Sequence, residues 1–204
     1  GNAAANMGVA LGDYLQNGYP SIAITHFSEQ YLQVLRNDGR LSFTDVSNIS
    51  NIARATTHVV GWGNAFYDFD NDGWLDLIAV NGHVYPQVDE AKIGISYREP
   101  GQLFLNLRDG KFRDVSGQVG PALKVPRVGR GLAVGDLFND GALEVVVENL
   151  EGQPVIFRPE RGPSNHWISL ELAGAKDELA LNARVRITTG DLIQSDEVRS
   201  SGSY

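Results

Sequence analysis

Phe66-Tyr67-Asp68-Phe69-Asp70-Asn71-Asp72-Gly73-Trp74-Leu75-Asp76-Leu77-Ile78-Ala79-Val80 decides how the rest of the chain is read. Carboxylates stand at positions one, three, five and nine of a nine-residue loop, with glycine at position six. Counting in twos gathers Asp68, Asp70 and Asp72 on one side of a tight turn, and Asp76 closes it from the next strand. Gly73 supplies a positive φ that a side chain would resist. Like charges this close repel unless a hard divalent cation sits among them, and calcium, with six to eight oxygen ligands in a flexible shell, suits such a loop. The expected ligands are Asp68, Asp70, Asp72, Asp76 and the carbonyl of Trp74. An EF-hand begins in the same way but needs a Glu at position twelve and flanking helices. Position twelve here is Ala79, and Leu-Ile-Ala-Val after Asp76 is a short apolar run of strand type. Asp, Asn and Gly favour turns without any metal, but turn chemistry alone accounts for one or two of the aspartates, not for the whole set in register.

The loop is repeated. Gly8-Val9-Ala10-Leu11-Gly12-Asp13 leads into Tyr14-Leu15-Gln16-Asn17-Gly18, and Gly131-Leu132-Ala133-Val134-Gly135-Asp136 leads into Leu137-Phe138-Asn139-Asp140-Gly141. In each copy a glycine lies five residues before the first aspartate and another five after it. Asp13, Asp68 and Asp136 are 55 and 68 residues apart. Downstream, Asn37-Asp38-Gly39 and Arg108-Asp109-Gly110 are hairpin signals, each followed by a phenylalanine (Phe43, Phe112) and Asp-Val-Ser, at 45–47 and 114–116. One repeat reads as four antiparallel strands, the sequence form of a propeller blade. The expected fold is all-β, a fragment of about three four-stranded blades (about 7–47, 58–116 and 127–160, within 1–162). A short turn near Asn48 to Ala55 is the one helical signal.

The outer loops differ in charge. The first keeps Asp13 but has Leu15, Asn17 and Ser21 at the remaining ligand positions, which predicts an empty turn. The third keeps Asp136, Asp140 and Glu144 with Phe138 at position three, a candidate for a weaker second site. Residues 87–100 lengthen the second repeat and read as a surface loop, passive or used in recognition.

The pattern Gly-x-Ala-x-x-Asp-x-Asp-x-Asp-Gly-x-x-Asp-Leu resembles the FG-GAP or VCBS repeat of integrin-type β-propellers over about residues 7 to 160. Asn81-Gly82-His83-Val84-Tyr85-Pro86 is similar to the form found in the cartilage acidic protein family. Beyond Arg161-Gly162-Pro163-Ser164, three alternating stretches (165–172, 183–190 and 193–199) read as strands, and residues 163–204 resemble the start of an ASPIC/UnbV β module. That resemblance implies a piece of a longer protein. An incomplete ring of blades leaves strand edges open, which predicts edge-to-edge association.

Composition narrows the function. A formal charge of −8 disfavours nucleic acid, and no apolar run is long enough to span a bilayer. The absence of cysteine removes disulfides and thiolate chemistry. His26, His58, His83 and His166 show no helical zinc spacing, and His83 reads as a turn-tying residue. Trp62, Trp74 and Trp167 read as packing between blades. No nucleophile elbow or phosphate loop is present. The expected function is a non-catalytic, calcium-binding extracellular or periplasmic module that recognises a protein or a glycan. The alternative is an accessory or catalytic domain of a secreted enzyme that uses the propeller face.

Overall fold

The computed structural model describes residues 4–92, 94–160, 165–174 and 180–199. Two four-stranded antiparallel sheets follow one another along the chain. The first holds β1 (Val9–Gly12), β2 (Ser21–Ile24), β3 (Gln33–Asn37) and β4 (Phe43–Asp45) in simple sequential order. After α1 (Ile52–Thr56), the second holds β5 (Gly61–Tyr67), β6 (Asp76–Asn81), β7 (Gln102–Asn106) and β8 (Phe112–Asp114), with α2 (Val88–Ala91) between β6 and β7. After α3 (Pro121–Lys124), β9 (Gly129–Gly135), β10 (Glu144–Asn149) and β11 (Val155–Phe157) form a third sheet. This sheet has three strands among the described residues, not the four expected. A separate two-stranded sheet pairs β12 (Arg184–Thr189) with β13 (Leu192–Glu197). Among the described residues no helix is long and apolar enough to cross a membrane.

The registers repeat. Leu11 faces Ile22, Phe66 faces Leu77 and Val134 faces Val145, so each nine-residue loop joins the first two strands of its sheet at the same point. The Asp-Val-Ser motif closes the first two sheets in the same manner. Ser47 Oγ accepts the N–H of Val34 and Ser116 Oγ accepts that of Leu103, each at 2.9 Å. The serine hydroxyl thus prolongs the ladder past the end of the fourth strand.

The sheets pack face to face, and β6 lies at the centre with every residue buried. Its side chains alternate between two cores, as strand geometry requires. Leu77 and Ala79 join Tyr14, Val34, Phe66, Phe104 and Phe112 against the first sheet. Ile78 and Val80 join Leu103, Leu132, Val145 and Val147 against the third. Burial on both faces is why Leu-Ile-Ala-Val is unbroken by polar residues. In the first two repeats the glycine ahead of the loop also has a packing cause. A Cβ on Gly8 would lie 2.1 Å from the Trp62 carbonyl oxygen, and one on Gly63 would lie 2.9 Å from the Arg130 carbonyl oxygen. The first strands of neighbouring sheets approach too closely there for a side chain.

One further sequence expectation fails here. Residues 165–172 belong to no strand, and Trp167, Ile168, Leu170 and Leu172 are exposed. Alternation marks a surface that could pair, but no described strand pairs with them. Residues 87–100 lie mostly at the surface, as read, but their end folds back. Tyr97 and Glu99 are buried, Glu99 and Arg127 exchange backbone hydrogen bonds, and the Tyr97 hydroxyl donates to Glu151 beside the third sheet. Residues 161–164 and 201–204, where the boundary and the end of the second module were expected, lie outside the described residues.

Leu77 is fully buried between sheets. Leu77→Ala is expected to lower stability by roughly 2–5 kcal/mol in urea unfolding, while Leu41→Ala, at a 95% exposed position, should change it by about 0.5 kcal/mol or less.

Candidate metal centre

All three loops are built on one scaffold. The first aspartate accepts the N–H groups of the fourth and fifth residues beyond it. Asp13 takes those of Asn17 and Gly18 at 3.0 and 2.8 Å. Asp68 takes those of Asp72 and Gly73 at 2.9 and 2.7 Å, and Asp136 those of Asp140 and Gly141 at 3.0 and 2.8 Å. Position four is left-handed in each copy (Gln16, Asn71 and Asn139, φ 54° to 55°), and the loop glycine follows at φ 81° to 90°. Side-chain capping of this kind is ordinary Asx-turn chemistry.

What differs is the charge held inside. In the second loop one carboxylate oxygen each from Asp68, Asp70 and Asp76 lies within 4.8 Å of the others, the one such acidic group among the described residues. Two oxygens bound to one calcium at 2.3–2.6 Å can be at most about 5 Å apart, so these three already meet that limit. Asp76 is buried at the mouth of β6, where Oδ2 accepts the N–H of Phe69 at 3.0 Å and Oδ1 that of Asn106 at 2.8 Å. Burial is the largest influence on all three carboxyls and raises their pKa values. Asp68 rises to about 6 despite the two N–H groups it accepts. Asp76 rises to about 7, with the charges of Asp70 and Asp68 adding to burial. Asp70 is raised too, with Asp72 as the next contributor.

The structure does not bring Asp72 into this group. Its Oδ1 accepts the Trp74 N–H at 2.8 Å, and its Oδ2 meets Arg108 Nη2 at 2.7 Å. Trp74 is half-buried at position seven. In the third loop, Asp136, Asp140 and Glu144 form no comparable group among the described residues. Asp140 and Glu144 are instead paired to Arg158, a residue that sequence spacing did not single out. In the first loop Asp13 has no acidic neighbour in the loop, and its Oδ2 accepts the Ser195 hydroxyl at 2.9 Å.

The C-terminal segment covers this end of the sheets. Asn71 Nδ2 donates to the Asn165 carbonyl at 2.9 Å and Asn165 Nδ2 to the Asn71 carbonyl at 2.6 Å. Leu192 abuts Gly73, and Trp167 abuts Gly141. Trp167 is therefore a partly exposed lid on a loop rather than a residue between sheets. Trp62 is half-buried, donates to the Gly82 carbonyl at 2.8 Å and lies under Arg130. His83 ties its turn as expected, its Nδ1 accepting the Tyr85 N–H at 3.1 Å.

Residues 13–79 match the FG-GAP-like repeat. The match runs from the first aspartate of the first loop to β6, just past the last aspartate of the second, so it spans one period of the repeat. No curated protein matches the chain.

The raised carboxyls set a pH dependence for the metal-free protein. A carboxyl whose folded pKa lies above its unfolded value stabilises the fold below about pH 4, and that contribution is lost as pH rises through the folded value. Asp68, Asp76 and Glu99, the last pushed to about 7 chiefly by burial, place the loss between about pH 4 and 7. In EDTA the melting temperature is expected to fall across that range. Glu99→Gln, which keeps an acceptor for the Val60 N–H, should make the fall shallower in pH-resolved thermal melts.

Proposed function

We propose that this chain is a non-catalytic, calcium-stabilised recognition module of the extracellular type, with Asp68, Asp70 and Asp76 as the side-chain ligands of one calcium ion. The observation that carries this reading is the approach of three carboxylates, one of them buried, to within the span of a single calcium shell. Oxygen-only donors in a flexible loop suit calcium better than zinc, which favours nitrogen and sulfur, or magnesium, which demands a stricter octahedron. Asp72, tethered by Arg108, adds negative charge beside the ion, and the Trp74 carbonyl and water complete the shell. Calcium would supply the cation that lets all three carboxyls ionise together at neutral pH.

The FG-GAP-like match supports a binding rather than a catalytic role, since such repeats are typically non-catalytic modules. It also supports an extracellular or periplasmic location, where sites with dissociation constants of about 10⁻⁴ to 10⁻³ M are filled. In this reading the stacked sheets are blades of a β-propeller, and the uncovered edge of β11 is where a fourth strand or a further blade adds. The hairpin of β12 and β13 would open an ASPIC/UnbV-like module. Protein or glycan partners fit such a surface, whereas the formal charge of −8 does not suit nucleic acid.

At a hundredfold excess of calcium over its dissociation constant the fold should gain about 2.7 kcal/mol. Thermal melts are expected to shift upward with calcium and downward with EDTA, and Asp70→Ala should abolish most of that response. An identical melt with and without chelator would refute the metal assignment.

A further inference from the structure

Each loop ends on a position-nine side chain that must be satisfied from the third strand of its sheet. Ser21 Oγ accepts the N–H of Asn37 at 3.2 Å, and Asp76 Oδ1 accepts that of Asn106 at 2.8 Å. The strand registers place Pro159 at the matching point of the third sheet, two residues after Phe157, which pairs with Val145. Proline has no N–H to give. Glu144 is nonetheless fully buried, with Oε2 accepting the Leu137 N–H and Oε1 accepting no hydrogen bond from any described residue.

Arg158 fills that gap. Its Nε lies 3.3 Å from Glu144 Oε1, and its Nη2 lies 2.9 Å from Asp140 Oδ2. The guanidinium also sits 4.0 Å from the centre of the Phe138 ring. Phe138 stands at position three, where the second loop has Asp70. The residue that removes a carboxylate from the third loop therefore supplies a face for a cation–π contact. The other two sheets lack this arrangement. Leu105 takes the matching place in the second, and Arg36 in the first turns to Asp38.

We propose that Arg158 is the fixed counter-ion of the third loop. Its guanidinium bridges Glu144 and Asp140 and offsets one of their two charges, where the second loop would use a divalent ion, so the described residues hold one metal site and not two. The count of one rests on the calcium reading above, whereas the role of Arg158 does not.

Two measurements separate these points. The first is thermal unfolding in EDTA of Arg158→Ala, Glu144→Gln and the double variant. Arg158→Ala is expected to lower the melting temperature by several degrees, and Glu144→Gln in that background should recover most of the loss, because it removes the stranded buried charge. Losses that simply add would overturn the proposal. The second is ion counting by native mass spectrometry with calcium, on the wild type and on Asp70→Ala/Asp76→Ala. One ion is expected for the former and none for the latter. An ion that survives in that variant and disappears when Glu144→Gln is added would also overturn it. A wild type that binds no ion would instead sink the calcium reading, and the EDTA cycle would still decide the role of Arg158.

Discussion

A carboxylate that accepts two successive backbone N–H groups sets the shape of all three nine-residue loops. Asp13 makes the point best. No other acidic group shares its loop, yet it forms the same turn as Asp68 and Asp136, with the same left-handed residue at position four. The turn is thus held by hydrogen bonds local to it, each contributing on the order of 1 kcal/mol and more where the acceptor is charged. A frame settled in this way leaves positions three, five and nine free to differ, and the three copies use that freedom to hold very different amounts of charge.

Much of this was legible in the chain itself. The spacing of Gly8, Gly63 and Gly131 before the first aspartates marked three equivalent strands, and the structure supplies the cause for two of them in the carbonyl oxygens beside Gly8 and Gly63. The unbroken apolar run after Asp76 marked a strand, which the structure buries on both faces. The Asp-Gly turns and Asp-Val-Ser motifs marked the outer strands of the first two sheets; neither motif follows β10, and the third sheet has three described strands.

What sequence spacing could not supply was pairing between distant strands. Asp72 looks like its neighbours until Arg108 is placed against it, and Glu144 looks like a ligand until Arg158 and Pro159 are seen beside it. Both arginines lie on or after third strands, so only the sheet register brings them to the loops. The stretch from Asn165 to Leu172 failed for a related reason. An alternating pattern states which face of a strand would be apolar, but not whether any edge is there to receive it. The ties formed by Tyr97 and Glu99 to the third sheet were likewise hidden, since nothing local separates a folded insertion from a loose one.

The reciprocal amide bonds between Asn71 and Asn165, with Leu192 seated on Gly73, make the two ends of the sheets unequal. A large visitor arriving from the aspartate side meets the chain's own tail before it meets the turns, so tail and visitor compete for one footprint. At the far end, where β6 runs out into Asn81 and Gly82, Tyr85 projects into solvent.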